Sequence, residues 1–367
     1  MQKHLILLAD NLAAGAAALA SDFIDGYKDD PKDFGSLYII HSNNLAINDF
    51  TSSKIIFIEC LRTGNFLKDH SKRTKAVSSI CQQTHEKFIL VNLTNFPVKL
   101  ESQNIEQRLL LHNLYLLGSP KSLSKTLTWK SKLTQRVKKL WFGVTMNLYK
   151  EVTLYLTQTR LMENQLLAAH PQAQGKAEIV LPYFSKHLKQ VLENSQKEPK
   201  QKFWIYPAAF HPHKNHWFLI KLAEYLKKNS QKELFFLTLD IKSPELQLFL
   251  HAIKSKGLHD YFYFTGWLQK NEVLKLLDAS KGLIFPSTFE ALGLPLIEAQ
   301  LLGKKIIAAD TPGNRDVTGQ EAHYFKINSD QEFAPIAEEL KFGGEVKYKI
   351  KAVDSALASL LGPYQVR

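Results

Sequence analysis

The sequence predicts an α/β protein made of two doubly wound domains, each with a parallel sheet between layers of helices. Short apolar runs alternate with longer helical patterns along the whole chain, as expected for successive βα units. The length of 367 residues exceeds that of a typical single domain, which favours two. The polar segment 185–202 separates the two series of runs and is the best linker candidate. Ligands of such sheets bind at the carboxyl ends of the strands, so we expect the two domains to face a ligand-binding cleft.

The short apolar runs are interpreted as strands, because they alternate with longer helical patterns. In the first half they are 4–9, 37–41, 54–59, 87–92, 152–157 and 177–182. In the second half they are 203–207, 234–239, 261–266, 282–287, 305–310 and 322–327. The last stretch has a helical pattern and is expected to cross back over the first domain. The predicted organisation is therefore a first domain at 1–185, a linker at 186–202, a second domain at 203–345 and a C-terminal helix at 346–367.

The chain carries an excess of positive charge. Its formal net charge is +12 at pH 7, and its isoelectric point is near 9.3. This charge predicts attraction to an anionic partner, which would be nucleic acid, a lipid surface or a phosphorylated substrate. An apolar fraction of 45% with 22% charged residues is ordinary for a globular chain and excludes wholesale disorder.

The cysteine content and the N-terminus favour a cytoplasmic protein. Cys60 and Cys81 form neither a disulfide framework nor a zinc site by themselves, which fits a reducing compartment. The N-terminus resembles a secretory signal, but Asp10 and Asn11 interrupt its apolar run, and a strand followed by a small-residue helix explains it. No run approaches the ~20 apolar residues of a membrane-spanning helix. Any membrane contact is therefore expected to be peripheral, on the inner face.

Residues 282–302 combine a strand, a turn and a helix that carry two carboxylates. The strand ends at Ser287, the turn contains Glu290 and Gly293, and the helix places Glu298 on an apolar face. A carboxylate in such surroundings needs hydrogen-bond donors, and the hydroxyls of a ribose are suitable. The amides of Gly293 and Leu294 at the helix start suit a phosphate. This pattern outlines a nucleotide-sugar site. The plain alternative is that Glu290 caps a surface loop and Glu298 pairs with a buried Lys or Arg.

A second segment, 204–226, contains a strand, a loop and a helix. Lys214 in its loop is placed to neutralise a diphosphate leaving group, although a solvated lysine is the ordinary alternative. No nearby carboxylate or cysteine completes a tetrahedral metal set, so neither a metal nor another cofactor is expected beside the three local histidines, His211, His213 and His216. Gly266 and Trp267 lie at the end of the predicted strand 261–266, where they suit either a loop beside a nucleobase or a simple strand-ending turn.

Four motifs in the second half resemble one family. "HPHKNH", "TGW", "FPSTFEALGLPLIEA" and the following "GKKIIAAD" are similar to glycosyltransferases of family 4, the group 1 glycosyltransferases. Residues 155–162 are similar to a segment of members that build bacterial surface polysaccharides. The resemblance covers Trp204 to Asp310. It implies the GT-B fold, with two Rossmann-like domains, and retaining, metal-independent transfer from a nucleotide sugar held by the second domain.

Carried over residue by residue, the resemblance implies a catalytic pair. Glu290 would contact hydroxyls of the transferred sugar, and Lys214 would contact the diphosphate. Glu298 would bind the ribose, while Gly293 and Leu294 would supply amides to the sugar or phosphate. The other donor-side candidates are Gly266, His213 and Ser287.

Two departures from the family pattern leave the donor open. The family's arginine five residues before the lysine falls on Ala209, so His211 or His213 would have to substitute. Where many members have a glutamate after the fifth strand of this domain, the loop "TPGNRDV" offers Arg315 and Asp316. A degenerate, non-catalytic domain therefore stays an alternative.

The acceptor side, in the first domain, has fewer signals. Asn92 lies just beyond a strand and is expected to face the cleft, and Arg62 could bind an acceptor phosphate or pair with an acid. The first loop has only Gly15 where the family has paired glycines. His112 lies in an apolar run of helical appearance and is expected to be a core histidine. Gly15, Asn92 and Arg62 are the acceptor-side candidates.

Segment 121–150 is predicted to form a basic amphipathic helix. Its apolar residues share one helical face, namely Leu133, Val137, Leu140, Trp141, Val144 and Leu148. Its basic residues lie largely elsewhere, namely Lys130, Lys132, Arg136, Lys138 and Lys139. An anionic membrane surface suits such a helix, and a core-packed helix with a solvated basic back explains it equally well.

The expected partners are a nucleotide-sugar donor and a glycan or lipid-linked acceptor. The function is then sugar transfer in bacterial polysaccharide synthesis, of O-antigen or capsule. A nucleotide-sugar epimerase or phosphorylase on the same fold is one alternative. A basic nucleic-acid-binding protein is another, but only the charge supports it, because no aromatic-basic motif or recognition helix is apparent, so no nucleic acid is expected.

Overall fold

The chain folds into two compact units. A computed structural model describes residues 3–10, 14–31, 34–42, 54–63, 65–82, 86–118, 129–180, 182–194, 202–327, 329–343, 346–348, 350 and 352–361. Unit 1 consists of Met1–Ser185 together with Ala352–Arg367, and unit 2 consists of Lys186–Lys351.

Unit 1 is built on a parallel sheet with the strand order β3-β2-β1-β4-β5-β6-β7. The strands are β1 (Lys3–Leu8), β2 (Phe34–His41), β3 (Ile55–Glu59), β4 (Lys87–Asn92), β5 (Ile105–Leu111), β6 (Val152–Thr157) and β7 (Ala177–Ile179). Leu5 and Leu7 of β1 belong to one apolar core, and Ile6 and Leu8 belong to a second. Because successive side chains of a strand point to opposite faces, a strand covered on both sides needs a continuous apolar run.

Helices cover both faces of this sheet. They are α1 (Ala14–Asp29), α2 (Phe66–Gln82), α3 (Leu114–Leu117), α4 (Trp129–Leu148), α5 (Arg160–Ala169) and α13 (Ala356–Leu361). The last of these comes from the C-terminal stretch and packs against α1. A Cβ atom at Gly26 would lie 3.1 Å from Leu357 Cβ, so the glycine permits this close approach.

Strand β5 is absent from the sequence prediction, and the helical interpretation of the stretch around His112 is wrong. His112 directly follows β5 rather than lying in a helix. The strand is hard to recognise because three polar residues, Glu106 to Arg108, occupy its first half. Gln107 is fully buried and is hydrogen-bonded to the backbone of Val98, while Arg108 donates to the carbonyl of Leu361. Polar groups can be buried in a sheet when they have hydrogen-bond partners, but they interrupt the run of apolar residues by which a strand is recognised in the sequence.

Unit 2 contains a second parallel sheet, with the strand order β10-β9-β8-β11-β12-β13. Its strands are β8 (Phe203–Tyr206), β9 (Leu234–Leu237), β10 (Phe262–Phe264), β11 (Gly282–Phe285), β12 (Lys305–Ala309) and β13 (His323–Phe325). Every strand predicted for this half is present. The helices are α6 (Lys186–Asn194), α7 (Trp217–Lys228), α8 (Gln247–Ser255), α9 (Lys270–Ala279), α10 (Leu294–Leu301), α11 (Pro312–Thr318) and α12 (Phe333–Lys341).

Part of the predicted linker is a helix. α6 buries Leu188 and Val191 and packs against α9 of unit 2. These apolar residues are three positions apart, which is the spacing of one helical face. The sequence interpretation sought a strand and found none, so it treated the stretch as a connection.

Helix α4 is anchored to unit 1 by one face. Phe142 is fully buried, with its ring edge-on to Phe96 and to His170 at centroid distances of 6.0 and 5.1 Å. His70 of α2 stacks on Tyr149, which follows α4, at 5.8 Å and meets Trp141 edge-on at 5.9 Å. These ring contacts determine the rotation of the helix about its axis. Across the described residues, no helix is both long and apolar enough to span a bilayer.

Replacing His70 by phenylalanine is expected to reduce the loss of stability in acid. Burial, together with the positive charge of Arg73, lowers the pKa of His70 from 6.5 to about 4. Below pH 6.5 the unfolded chain therefore binds a proton that the folded chain refuses, and stability falls until about pH 4. His70→Phe removes this difference, which is on the order of 3 kcal/mol.

Neither ring nitrogen of His70 has a hydrogen-bond partner among the described residues, so phenylalanine keeps the ring contacts at little cost. Urea unfolding of both proteins between pH 4 and 7 measures the effect. An equal acid dependence of wild type and variant would show that His70 is not the group responsible.

Candidate functional site

Two loops meet at the carboxyl edge of the unit 2 sheet. β8 and β11 are adjacent parallel strands, so the loops that follow them start side by side. The carbonyl oxygen of His213, in the first loop, accepts a hydrogen bond from the Thr288 amide at 2.8 Å. The Thr288 and Ser287 hydroxyl oxygens each lie 3.1 Å from the same carbonyl oxygen. This joint holds the "HPHKNH" and "FPSTFEALG" segments together.

Lys214 and Glu290 form an ion pair beside that joint. Lys214 Nζ lies 2.5 Å from Glu290 Oε1, and the Ser287 hydroxyl lies 2.5 Å from the same oxygen. The two charged side chains are 20% and 12% exposed, so both are shielded from water yet reachable. Two residues far apart in sequence, predicted to form a catalytic pair, are therefore in direct contact.

A buried tyrosine is hydrogen-bonded to the backbone of Lys214. Tyr206, at the end of β8, is fully buried and donates a hydrogen bond from its hydroxyl to the Lys214 carbonyl at 2.8 Å. Burial raises the pKa of the Tyr206 hydroxyl well above its ordinary value, and the negative charge of Glu290 raises it further. Tyr206 therefore keeps its proton and remains a donor, which orients the loop.

Gly293 begins helix α10 in a left-handed conformation, with φ of 65° and ψ of 63°. A Cβ atom there would come within 3.1 Å of Leu296 and 3.3 Å of the Phe285 ring, so both φ and space favour glycine. The amides of Gly293 and Leu294 lie at the start of α10, where the positive end of the helix dipole favours an anion. This is the arrangement predicted for Gly293 and Leu294.

Glu298 lies on the less buried side of α10. Leu294, Leu301 and Glu298 are all half-buried, whereas Ile297 and Ala299 beside it are buried. The apolar surroundings expected from the sequence are therefore only partly present.

The three histidines have different environments. His216 is 1% exposed among the rings of Tyr206 and Phe210, and burial lowers its pKa to about 3, so it is a core residue. His213 stacks on His211 at a centroid distance of 5.8 Å. Burial lowers the pKa of His213 to about 4, with a contribution from the Lys214 charge. Within the described ranges, no group of three or more His, Cys, Asp or Glu side chains is arranged to hold a metal ion.

Three further donor-side positions are Gly266, Ala209 and Arg315. Gly266 adopts a left-handed φ of 76°, and a Cβ atom there would meet nothing within 4 Å, next to the exposed Trp267. Ala209, at the position of the family's arginine, is also exposed. Arg315 is engaged by Asp310 at 2.5 and 3.0 Å and covers the Tyr324 ring at 4.2 Å.

Asn314 is a positioning residue that the sequence interpretation missed. It is 1% exposed, and its side-chain amide donates to the Ser287 carbonyl at 3.2 Å and to the Ala309 carbonyl at 2.8 Å. It thus connects the end of β12 to the loop that carries Glu290. The only sequence signal was an asparagine after Thr-Pro-Gly, which also describes an ordinary turn.

In unit 1, Asn92 is placed differently from its prediction. It is fully buried, its amide donates to the Phe96 carbonyl at 2.9 Å and to Gln107 Oε1 at 3.1 Å, and its oxygen accepts from the Thr94 amide at 3.0 Å. Asn92 therefore shapes the loop after β4 rather than presenting an amide to a ligand. Arg62 is exposed after β3, and Gly15 is the second residue of α1.

His112 lies at the carboxyl end of β5. Its Nε2 lies 2.9 Å from Asn95 Nδ2, and its backbone amide donates to Asn95 Oδ1 at 2.8 Å. Asn95 adopts a left-handed φ of 66° to make these contacts. Burial lowers the pKa of His112 to about 4, so the imidazole is neutral at neutral pH.

The fold defines a class of protein. Two doubly wound α/β units have the architecture of GT-B glycosyltransferases. Residues 189–341, which lie within unit 2, match the family described as Glycosyl transferases group 1. The resemblance inferred from Trp204 to Asp310 is therefore confirmed.

Solved structures share the fold over most of the chain. A glycosyltransferase from Rickettsia africae ESF-5 is similar with a TM-score of 0.66 at 13% identity, over 93% of this chain and 88% of that one. WaaG, a glycosyltransferase involved in lipopolysaccharide biosynthesis, gives 0.61 at 12% identity, over 92% and 90%. Anabaena Alr3699/HepE in complex with UDP-glucose gives 0.60 at 15% identity, over 92% and 89%.

Curated relatives match shorter stretches. The serotype-specific mannosyltransferase WbdA of Escherichia coli is 25% identical over 199 residues, which is 54% of this chain and 24% of that protein. The 2-deoxystreptamine N-acetyl-D-glucosaminyltransferase of Streptomyces fradiae is 33% identical over 76 residues, or 21% of this chain and 18% of that protein. The match therefore spans about a quarter or less of the length of these relatives.

Proposed function

We propose that the protein is a retaining, metal-independent glycosyltransferase of bacterial polysaccharide synthesis, making O-antigen or capsule. It would move a hexose from a nucleotide-sugar donor to a hydroxyl of a glycan or lipid-linked acceptor, at the cytoplasmic face of a membrane. The observation that carries the proposal is the contact of Lys214, Glu290 and Ser287 beside the Gly293 turn, inside the region that matches the family. The names of WaaG and WbdA and the UDP-glucose bound to HepE support it.

Lys214 and Glu290 have complementary tasks in the proposed reaction. The Lys214 ammonium would turn from Glu290 to the donor diphosphate, which frees the Glu290 carboxylate for hydroxyls of the sugar. The bond from the anomeric carbon to the phosphate oxygen breaks, and a bond to the acceptor oxygen forms on the same face. The proton of the acceptor hydroxyl passes to the leaving phosphate, so no protein base is needed.

The missing arginine places more of the charge stabilisation on Lys214. His213 has a pKa of about 4 and is neutral at pH 7, so it can donate or accept a hydrogen bond but cannot replace the positive charge. We propose that Lys214 and the amides at Gly293 and Leu294 stabilise the diphosphate together.

A panel of nucleotide sugars tests the proposal directly. Thermal shift identifies the donor, because a ligand that binds only the folded chain raises Tm. Product analysis with the bound donor and a glycan or lipid-linked acceptor then reports the chemistry. A glycoside with the anomeric configuration of the donor, formed in the presence of EDTA, is the expected product. An epimerised donor or a sugar phosphate would identify an epimerase or a phosphorylase instead. Salt-sensitive RNA binding without any nucleotide-sugar shift would identify a nucleic-acid-binding protein.

Replacing Glu298 by alanine is expected to weaken binding of the nucleotide part of the donor by about 10- to 100-fold. A hydrogen bond to a charged group contributes about 1.5–3 kcal/mol. Titration calorimetry with the free nucleoside diphosphate measures the change. Glu338→Ala is the matched control, because Glu338 is an exposed acid of the same unit that pairs with Lys341 at the surface. Equal affinities for Glu298→Ala and wild type would contradict the ribose-binding role.

A further inference from the structure

Helix α4 presents most of its apolar residues to solvent. Five of them are exposed, namely Leu133 at 53%, Val137 at 56%, Leu140 at 72%, Val144 at 37% and Leu148 at 64%. They recur every three or four residues, so they form one continuous stripe along the helix. We call these five residues the apolar stripe.

The apolar stripe lies opposite the face that anchors α4. Phe142 and Met146 are fully buried, and at 100° per residue they point away from the stripe. The ring contacts of Phe142, Trp141 and Tyr149 hold this orientation. The core-packed interpretation of the apolar face is therefore wrong for these five residues, although Trp141 is half-buried against His70.

Basic side chains flank the apolar stripe. At 100° per residue, Arg136 and Lys138 lie on its two sides, and both are exposed. Lys139 projects beside Met146 on the anchoring face instead, and its Nζ lies 3.5 Å from the Leu117 carbonyl oxygen. The sequence of α4, from Trp129 to Leu148, contains no aspartate or glutamate. A solvent-exposed apolar surface that is bordered by cations, on a helix without acidic residues, is electrostatically complementary to an anionic surface that has an apolar interior.

We infer that α4 docks unit 1 onto an anionic lipid bilayer. The helix lies in the interface plane, where the apolar stripe enters the acyl region and the basic flanks contact lipid phosphates. A second copy of the chain fits this surface less well. A two-fold symmetric contact would bring the same basic flanks together without any acidic residue of α4 to balance them. The inference does not rest on the sugar-transfer chemistry, because it uses only α4.

Vesicle sedimentation of the full chain tests the apolar part. Wild type is expected to bind vesicles of phosphatidylglycerol and phosphatidylcholine, and to bind pure phosphatidylcholine weakly. Leu140→Gln combined with Leu148→Gln should weaken binding at least about tenfold, since two leucines no longer enter the acyl region. Leu248→Gln is the control, because Leu248 is a 75% exposed leucine of unit 2 that is not part of the stripe, and it should leave binding unchanged.

Charge variants test the basic flank separately. Arg136→Gln combined with Lys138→Gln should weaken binding to anionic vesicles by about 30-fold, since each cation near such a surface contributes about fivefold. Lys228→Gln combined with Lys254→Gln lowers the net charge equally in unit 2 and should have little effect. A small effect of the second pair excludes attraction by net charge alone.

Three results would overturn the inference. They are no sedimentation of wild type with anionic vesicles, equal binding of the stripe variant and wild type, and equal effects of the two charge variants. Analytical ultracentrifugation tests whether a second copy of the chain occupies the stripe instead. The stripe is a dimer surface if wild type self-associates, the Leu140→Gln and Leu148→Gln double variant does not, and wild type fails to bind vesicles. Circular dichroism verifies that each variant is folded.

Discussion

Replacing Lys214 by alanine is expected to lower kcat/KM for sugar transfer by about 100-fold or more. The charge that develops on the departing diphosphate would lose its nearest cation, and a single preorganised electrostatic contact is worth about 2.7–4 kcal/mol. Neutral His213 and uncharged Ala209 offer no substitute. Steady-state kinetics with the donor identified by the panel measures the change.

Two variants accompany this experiment. Lys221→Ala is the control, because Lys221 is an exposed lysine on α7 of the same unit, and its turnover should equal that of wild type. Glu290→Ala should also slow transfer by about 100-fold, and combining it with Lys214→Ala should cost less than the product of the two effects, because the residues are in contact. Wild-type turnover in either single variant would refute the catalytic pair.

Replacing Arg73 by methionine is expected to lower the free energy of unfolding of unit 1 by about 3–5 kcal/mol. Arg73 Nε lies 2.6 Å from Asp10 Oδ2, and the two side chains are 3% and 1% exposed. Among the described residues, no hydrogen-bond donor reaches Asp10 Oδ1. Loss of the arginine would therefore leave a buried carboxylate without its counter-charge, at the end of β1.

An exposed ion pair provides the comparison. Lys256 Nζ lies 2.5 Å from Glu224 Oε1, with both side chains about two-fifths exposed, and Lys256→Met should cost no more than about 1 kcal/mol. Urea unfolding measures both. Asp10→Asn in the Arg73→Met background should recover part of the loss, since it removes the stranded charge. A cost below 1 kcal/mol for Arg73→Met would mean that water or another group already compensates Asp10.

The strands of unit 2 were predictable because each is a short apolar run between recognisable helices. β11 illustrates this, since four buried residues, Gly282 to Phe285, follow one another without interruption. β5 was not predictable, because Gln107 and Arg108 are buried with hydrogen-bond partners that the local pattern does not reveal, namely the backbone of Val98 and, far along the chain, the carbonyl of Leu361. The sequence alone does not distinguish a polar residue that is exposed to solvent from one that is buried and hydrogen-bonded in a core.

The chemistry of the site was predictable as a set of residues but not as a geometry. The motifs named Lys214, Glu290 and Ser287 separately, and only the adjacency of β8 and β11 brings Lys214 Nζ to 2.5 Å from Glu290 Oε1. Asn92 shows the opposite case. Its position after a strand predicted a ligand contact, but Gln107 of the missed strand β5 takes its amide.

The sequence by itself determined the α/β class, the strands of unit 2 and the resemblance to the group 1 glycosyltransferases, and it named the candidate site residues, because these depend on local period and on side-chain type. Only the tertiary structure decided which face of α4 is buried, whether Asn92 is available and how Lys214 is paired. The physical reason is that an amphipathic helix has the same period whether its apolar face meets a core or a bilayer. The choice is made by residues such as Phe96, His70 and His170, which are distant in sequence and pack against its other side.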